Sequence, residues 1–271
     1  MDLKQRGGRG KIVEAGLSRA VQRNFDRAAA TYDRFADVQI EVAERLVERL
    51  PSCRGPAQII ELGCGTGNLT IRLRDKYPSS LIVAIDFAGE MIKRAADRLE
   101  GRGVQFLSQT IQGFLAGYKE KADLIVSNAT LQWVDELETV FAQAKKHLKE
   151  DGLLVFSIFG PESLVELQQA LDVVMGGKGK LAARNFKSRE QILLLLRGYF
   201  GRVEDESMSI KREYPDVISL LRQIRKTGTG GAHRVPLRLS RRHLEAMDSW
   251  FKKRYGGCRA SYQVLFFRCR P

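Results

Sequence analysis

A glycine-rich turn between an apolar run and a helical run is the part of this sequence best suited to chemistry. The turn reads Glu61-Leu62-Gly63-Cys64-Gly65-Thr66-Gly67. Its glycines let the chain turn tightly and bring its backbone close to a bound ligand. The helical run that follows offers free N–H groups at its start to a polar or anionic group. The turn therefore predicts a loop that holds a small molecule.

A second acidic residue extends this pattern. Asp86 ends the next apolar run, twenty-one residues after Gly65, where a carboxylate can accept both hydroxyls of a ribose. The spacing Gly-x-Gly-x-Gly followed by Asn68 departs from the dinucleotide-binding pattern, which continues towards a later glycine. The carboxylate of Glu61 suits a cationic sulfonium amino acid and has little use beside a pyrophosphate. These features favour a nucleoside with a cationic amino-acid end over a nicotinamide dinucleotide.

The turn resembles motif I of the class I S-adenosylmethionine (SAM)-dependent methyltransferases, and the resemblance runs from Ile59 to Phe159. It implies that SAM is the cofactor. The residues that it assigns to SAM are Gly63, Gly65 and Gly67 in the loop, Glu61 near the amino-acid end, and Asp86 on the ribose. Methyltransferases of this class often carry an acidic residue after the third strand, and none stands here. We therefore expect backbone groups near Thr110 and Ile111 to hold adenine, and Asn128 to be a further cofactor contact.

Short apolar runs alternate with helical runs around these motifs, which implies a parallel sheet covered on both faces. The predicted strands are Gln58–Leu62, Leu81–Asp86, Val104–Ser108, Leu124–Asn128, Leu153–Ile158, Val203–Ile210 and Tyr262–Cys269. The predicted helices between them are Leu69–Lys76, Glu90–Leu99, Glu136–Leu148 and Ser188–Arg197. The family resemblance implies a class I methyltransferase Rossmann-like α/β fold with seven strands, mostly parallel with the last antiparallel.

The two ends of the chain differ from this middle part. Residues 1–18 predict a flexible basic arm, and residues 19–271 a single methyltransferase domain. Apolar residues at helical spacing predict N-terminal helices, one through Phe25 and Phe35 and one over Val38–Leu50, before Pro51. Two further helical stretches lie between the last two strands and predict a cap or lid inserted at about 213–259. They are Val217–Lys226 and Arg241–Arg254.

Composition limits the class of protein and its partners. The chain has 271 residues and a formal net charge of +13, which predicts attraction to an acidic partner. Residues 220–259 hold eleven Lys and Arg against two acids. Three histidines and four cysteines without a C-x-x-C pair argue against a metal site. No apolar run is long enough to span a membrane and none follows the basic start as a signal peptide would, so we expect a cytoplasmic protein.

The segment after the fourth predicted strand restricts the acceptor. It reads Ser127-Asn128-Ala129-Thr130-Leu131-Gln132-Trp133 and lacks both the Pro-Pro-aromatic motif of nucleic-acid amino methylation and a Pro-Cys nucleophile. Despite the charge, we expect no nucleic-acid partner. Two interpretations of the basic segment at 220–259 remain open. It binds an acidic protein, or it is a charged surface that only keeps the protein soluble.

Several pieces together resemble the malonyl-acyl-carrier-protein O-methyltransferases. They are Phe25-Asp26-Arg27-Ala28-Ala29, Tyr32-Asp33, the glycine turn, Leu131-Gln132-Trp133, and Leu221-Arg222 with Lys226 and Gly228. The resemblance implies methyl ester formation on the free carboxylate of a malonyl thioester, early in biotin synthesis. It also implies acyl-carrier protein, which is small and acidic, as the partner of the basic cap at 220–259.

The resemblance also implies roles at the acceptor side of the site. Arg222 is the candidate cation for the carboxylate, because a guanidinium binds it bidentately and stays charged. Tyr32 is a candidate gate beside the methyl donor, and Gln132 a candidate pocket residue. Two other functions remain open. One is a SAM-dependent methyltransferase acting on another small-molecule carboxylate or amine, and the other is a non-catalytic SAM-binding or scaffold protein.

Overall fold

The computed structural model describes residues 19–52, 55–228 and 239–271. The predicted arm at 1–18 lies outside the described residues, as do residues 229–238 between the two helices of the predicted cap.

Seven strands form one sheet in the order β3-β2-β1-β4-β5-β7-β6. The strands are β1 (Gln58–Leu62), β2 (Leu81–Asp86), β3 (Val104–Ser108), β4 (Ala122–Asn128), β5 (Leu148–Phe159), β6 (Arg202–Tyr214) and β7 (Cys258–Arg270). The pairs among β1 to β5 are parallel, and β7 is antiparallel to both β5 and β6. The predicted fold, including the antiparallel last strand, is confirmed.

Helices cover both faces of the sheet. Residues 19–28 are helical (α1). The other helices are α2 (Asp37–Glu48), α3 (Asn68–Lys76), α4 (Gly89–Arg98), α5 (Ile111–Gly117), α6 (Leu137–His147), α7 (Val165–Met175), α8 (Arg189–Arg197), α9 (Val217–Lys226) and α10 (Arg241–Tyr255). Helices α5, α6 and α8 bury their apolar sides on one face, and α2 and α3 bury theirs on the other. The two layers leave the carboxyl ends of the parallel strands accessible.

The N-terminal helical pattern is interrupted in the structure. Helix α1 ends at residue 28, and a separate 3₁₀ turn, Tyr32–Arg34, precedes α2. The break lets Asp33 accept hydrogen bonds from the Thr66 hydroxyl at 2.6 Å and from the Asn68 amide at 2.8 Å. Polar contacts with the glycine turn therefore replace a continuous helix.

Helices α7, α9 and α10 pack together with β7 around a third apolar core. Leu167, Val217, Leu220, Met247 and Phe251 are fully buried there. Helices α9 and α10 lie between β6 and β7 in the chain and are fixed to the main sheet through this core. In the part of the chain that the structure describes, no helix is long and apolar enough to cross a membrane.

Candidate active site

A cavity opens at the carboxyl ends of β1, β2 and β4. Strand order reverses between β1 and β4, and open α/β sheets bind their ligands at such a switch point. Eight of the predicted site residues line this cofactor cavity. They are Tyr32, Glu61, Gly63, Gly65, Asp86, Thr110, Ile111 and Asn128. Gly67, Gln132 and Arg222 do not line it.

The glycine turn is held in a conformation that other residues rarely adopt. Gly63, Gly65 and Gly67 have φ angles of 77°, 53° and 84°. The N–H groups of Gly63 and Cys64 both donate to the carbonyl of Ile85, at 2.8 and 2.9 Å, which ties the turn to β2. Among the described residues, no atom lies within 4 Å of a Cβ built on Gly65, so the turn faces open space at that position. Gly67 instead packs under α4, where an added Cβ would lie 2.9 Å from Leu99.

Asp86 is fixed at the end of β2 by two backbone donors. Its carboxylate accepts from the N–H of Gly65 at 2.9 Å and from the N–H of Ala88 at 2.9 Å. Burial raises the pKa of Asp86 to about 6, against an ordinary value of 3.8, while the backbone hydrogen bonds oppose that shift. Each carboxylate oxygen keeps a lone pair that can accept from a ribose hydroxyl.

Glu61 is a buried acid with an unsatisfied oxygen. Its side chain is 1% exposed, and Oε2 has no hydrogen-bond partner among the described residues. Burial raises the pKa of Glu61 to about 8, and the nearby Asp86 carboxylate adds to the shift. A buried acid of this kind is stabilised by a cation with N–H donors. The protonated amino group of SAM has this character, and its sulfonium adds a second positive charge, so the residues present fit SAM.

Thr110 and Ile111, the residues predicted to lie near adenine, also line the cavity. The Thr110 side chain accepts from the N–H of Gly113 at 3.1 Å and begins α5, so it is already used as a helix cap. Sequence analysis missed Phe87 and Asp135, which also line the cavity. Phe87 directly follows Asp86 and could have been inferred from that position. Asp135 follows a short 3₁₀ turn, and no motif marks it.

The N-terminal residues cover the cavity. Phe25 and Tyr32 both line it, and Phe25 packs edge-on against Phe87 and Trp133 with ring centroids 6.2 Å apart in each pair. The Gln22 amide donates to the carbonyl of Phe87 at 2.6 Å. Burial, with Asp86 and Asp33 adding to it, holds the pKa of Tyr32 well above its usual range. Tyr32 is therefore a neutral hydroxyl at the cavity wall.

A second cavity adjoins the first. Gln39 and Trp133 line both cavities. Its apolar wall consists of Phe35, Val38, Phe159, Leu164, Leu181, Ala182, Ala183, Phe186 and Ile224. We call it the acceptor cavity, because it is the adjoining space from which a second molecule can approach the first cavity.

Gln132 and Arg222 lie outside both cavities among the described residues. The Gln132 amide donates to the carbonyl of Ala129 at 2.6 Å and supports the left-handed backbone there, where φ is 48°. Arg222 is exposed on α9, next to Gln223, which does line the acceptor cavity. Asn128 uses its amide to hold α2, donating to the carbonyl of Gln39 at 3.0 Å. No cluster of His, Cys, Asp or Glu in the described ranges is placed to hold a metal ion.

The sheet order, the glycine turn and the two buried acids define a class I SAM-dependent methyltransferase, and SAM is its cofactor. A family model described as "Methyltransferase domain" matches residues 59–152. The chain is 34% identical to the malonyl-[acyl-carrier protein] O-methyltransferase of Geobacter sulfurreducens, over 92% of this chain and 97% of that protein. It is 32% identical to the Bacillus cereus protein of the same name, over 91% and 94%. The chain therefore belongs to the malonyl-[acyl-carrier protein] O-methyltransferase family.

A solved structure agrees on the fold. Phosphoethanolamine N-methyltransferase 2 of Haemonchus contortus, in complex with SAM, superposes with a TM-score of 0.57 at 15% identity. The match covers 91% of this chain and 57% of that one.

Proposed function

We propose that this protein transfers the methyl group of SAM to the free carboxylate of malonyl-acyl-carrier protein, forming a methyl ester early in biotin synthesis. The observation that carries the proposal is the pair of adjoining cavities, one lined by the SAM signature and one by apolar side chains. The names of the relatives supply the acceptor.

The cavity lining supports the following cofactor contacts. Glu61 would bind the amino-acid end, and Asp86 the ribose hydroxyls. Gly63 and Gly65 let the backbone approach the cofactor, and Gly67 turns the chain into α3. Backbone groups at Thr110 and Ile111, and the residue Asn128, complete the proposed set.

The chemistry needs little from the side chains beyond binding and alignment. When bound, SAM supplies a methyl group on a sulfonium sulfur; a carboxylate oxygen of the acceptor forms the new O–C bond as the C–S bond breaks. A malonyl half-acid is ionised at neutral pH, so no general base is required. The protein contributes a fixed geometry and the exclusion of water. Tyr32, a neutral hydroxyl at the wall of the cofactor cavity, would act as a gate beside the methyl donor. Gln132 would support the turn at Ala129 through its hydrogen bond to that carbonyl.

The acyl-carrier protein would approach the side of the molecule formed by α9 and α10. The basic surface there consists of exposed cations, namely Arg222, Arg225, Arg242, Lys252, Lys253 and Arg254. Because acyl-carrier protein is acidic, this surface would steer its approach in the cytoplasm. We propose that the α9–α10 segment is a cap over the acceptor cavity and that Arg222 meets the acceptor on entry.

The test is methylation of the carrier itself. Purified protein is incubated with methyl-labelled SAM and malonyl-acyl-carrier protein, and intact mass is measured before and after mild base. A base-labile gain of one methyl group supports the proposal. Binding of SAM by calorimetry without any methyl transfer would leave the class intact and point to a different acceptor. Absence of SAM binding would contradict the proposal and its cofactor together.

A further inference from the structure

Gln39 occupies the boundary between the two cavities. It lies on α2, lines both cavities together with Trp133, and is half-buried. The amide of Asn128, at the end of β4, holds the backbone of Gln39 through the hydrogen bond to its carbonyl at 3.0 Å. Asn128 is itself fixed, because its Oδ1 accepts from the Ser157 hydroxyl at 2.8 Å. The position of Gln39 is therefore set by the strand ends that also form the cofactor cavity.

The side-chain amide of Gln39 makes no hydrogen bond with the described residues, which sets it apart from the hydroxyl and amide side chains that line the acceptor cavity with it. Ser163 donates to the carbonyl of Gln263 at 3.2 Å. Gln223 donates to Asp37, and Tyr262 shares a hydrogen bond with Tyr214 at 2.9 Å. Among the amide side chains that line the acceptor cavity, Gln39 is thus the one left without a hydrogen bond in the described chain.

Neither cavity is lined by a cation among the described residues. Of the residues that the structure describes, the charged ones in the cofactor cavity are all acids, Glu61, Asp86 and Asp135, and none in the wall of the acceptor cavity is charged. An acceptor carboxylate that reaches the boundary therefore needs a neutral donor to hold it. It also needs to stay clear of the buried acids.

Resting on the proposed function, we propose that the side-chain amide of Gln39 binds the acceptor carboxylate and presents it to the methyl group. One N–H donates to the oxygen that does not react, which leaves the other oxygen facing the methyl group. That oxygen forms the O–C bond, the C–S bond breaks with its electron pair on sulfur, and no proton moves.

A neutral donor suits this reaction better than an arginine in the same place. The transfer joins an anionic oxygen to a cationic donor and leaves two neutral products. A guanidinium paired with the carboxylate would stabilise the charge before the reaction more than in the transition state, and so would slow the step. A neutral amide stabilises the charged carboxylate less before the reaction, and so slows the step less than a guanidinium would. Arg222, exposed on α9, is then left to guide the acceptor to the site and does not align it.

The test compares Gln39→Leu and Gln39→Glu with the wild-type protein, using SAM and a small malonyl thioester so that carrier docking plays no part. Loss of a hydrogen bond to a charged group is expected to lower kcat/KM about 10- to 100-fold for Gln39→Leu. At saturating SAM and relative to the wild type at the same pH, Gln39→Glu is expected to lose more at pH 8 and to recover as the pH falls towards 5. A protonated carboxyl can donate a hydrogen bond to the acceptor, whereas a carboxylate repels it. A purely structural role would not produce this pH dependence.

Two controls separate the possible results. SAM affinity by calorimetry and the unfolding temperature must stay near the wild-type values, and Gln105→Leu on the exposed face of β3 must keep full activity. If Gln39→Leu transfers methyl groups as fast as the wild type, the inference is overturned. The same holds if Arg222→Ala abolishes transfer to the small thioester while Gln39→Leu does not. If the wild type itself fails to methylate any malonyl thioester while binding SAM, the proposed function fails first.

Discussion

The ring of Phe25 packs on the backbone of Gly228, so closely that a Cβ built on Gly228 would lie 2.7 Å from the ring. Phe25 also lines the cofactor cavity, and Gly228 follows the end of α9 with a φ of 76°. The contact joins the N-terminal cover of the SAM site to the segment that carries Arg222. A substitution in the segment that carries Arg222 should therefore affect the SAM site, and a substitution in the N-terminal cover should affect that segment.

Gly228→Ala tests this connection. The added methyl group must displace Phe25, and the left-handed backbone adds about 1–2 kcal/mol of strain. We expect SAM affinity to fall by about tenfold, which corresponds to roughly 1.4 kcal/mol, as measured by calorimetry. Gly256→Ala is the matched control, because Gly256 has a φ of 80° and nothing within 4 Å of an added Cβ. Equal SAM affinities for the two variants would mean that the Phe25 contact has no role in binding.

Replacing Gly63 or Gly65 of the turn by alanine should affect the protein in different ways, the first through its stability and the second through SAM binding. A Cβ on Gly63 would lie 2.7 Å from Cβ of Thr130, whose hydroxyl donates to the Gly63 carbonyl at 3.1 Å. We expect Gly63→Ala to lower the free energy of unfolding by about 2–3 kcal/mol. Gly65→Ala faces open space, so its cost to stability should be about 1 kcal/mol, from backbone strain alone.

The Gly65→Ala variant should nevertheless bind SAM poorly, because its methyl group enters the space of the cofactor cavity. Thermal unfolding and calorimetry on both variants separate stability from binding. A Gly65→Ala protein with wild-type SAM affinity would show that the cofactor does not approach this part of the turn.

Reversal of charge on the α9–α10 basic surface tests the docking of the carrier. Lys252→Glu with Lys253→Glu should raise the KM for malonyl-acyl-carrier protein about tenfold with little change in kcat, since rim charges act mainly on encounter. A small malonyl thioester should show no such change. High salt should reproduce the effect in the wild type, because the screening length is about 8 Å at physiological ionic strength. Lys146→Glu on α6 is the control. An equal rise in KM for that variant would mean that the effect comes from the net charge of the protein and not from the α9–α10 basic surface.

The outline of the sheet was predictable because short apolar runs bounded by turns are strong signals. Strands β1, β2 and β3 begin and end at the predicted residues. Helix α5 was not predicted, since Gly113 and Gly117 weaken its helical pattern. Helix α7 was also missed. It packs against α10 and β7, which are distant from it in the sequence, so no local pattern indicates this packing.

The cofactor side of the site was predictable for the same local reason, since its residues are consecutive at strand ends. The acceptor side was not. Gln39 stands in an amphipathic helix, where a glutamine is an ordinary residue, and its place follows from a contact with Asn128 across 89 positions of the chain. Arg222 was selected by resemblance alone, and the structure places it on the exposed side of α9.

The pKa of Glu61 makes both stability and SAM binding depend on pH. In the free protein the pKa is raised from 4.5 to about 8, so the folded state keeps a proton that the unfolded state releases. The contribution of Glu61 to stability is therefore complete below about pH 4.5 and is lost as the pH rises through 8. Asp86 acts in the same direction at lower pH, between 3.8 and about 6. Cys64, also close to Glu61, has its pKa raised by burial and remains a neutral thiol in this range.

Binding of a cation beside Glu61 should reverse this dependence. The cation favours the carboxylate, so SAM binding should release a proton, and affinity should rise by at most about tenfold per pH unit between 6.5 and 8. Calorimetry in buffers of different ionisation enthalpy counts the proton, and this pH window excludes most of the titration of Asp86. Glu61→Gln should bind SAM more weakly, with no proton released from this site and a free energy of unfolding that depends less on pH. Release of the same number of protons by the Gln variant would assign the effect to another group and would remove Glu61 from the cofactor contacts.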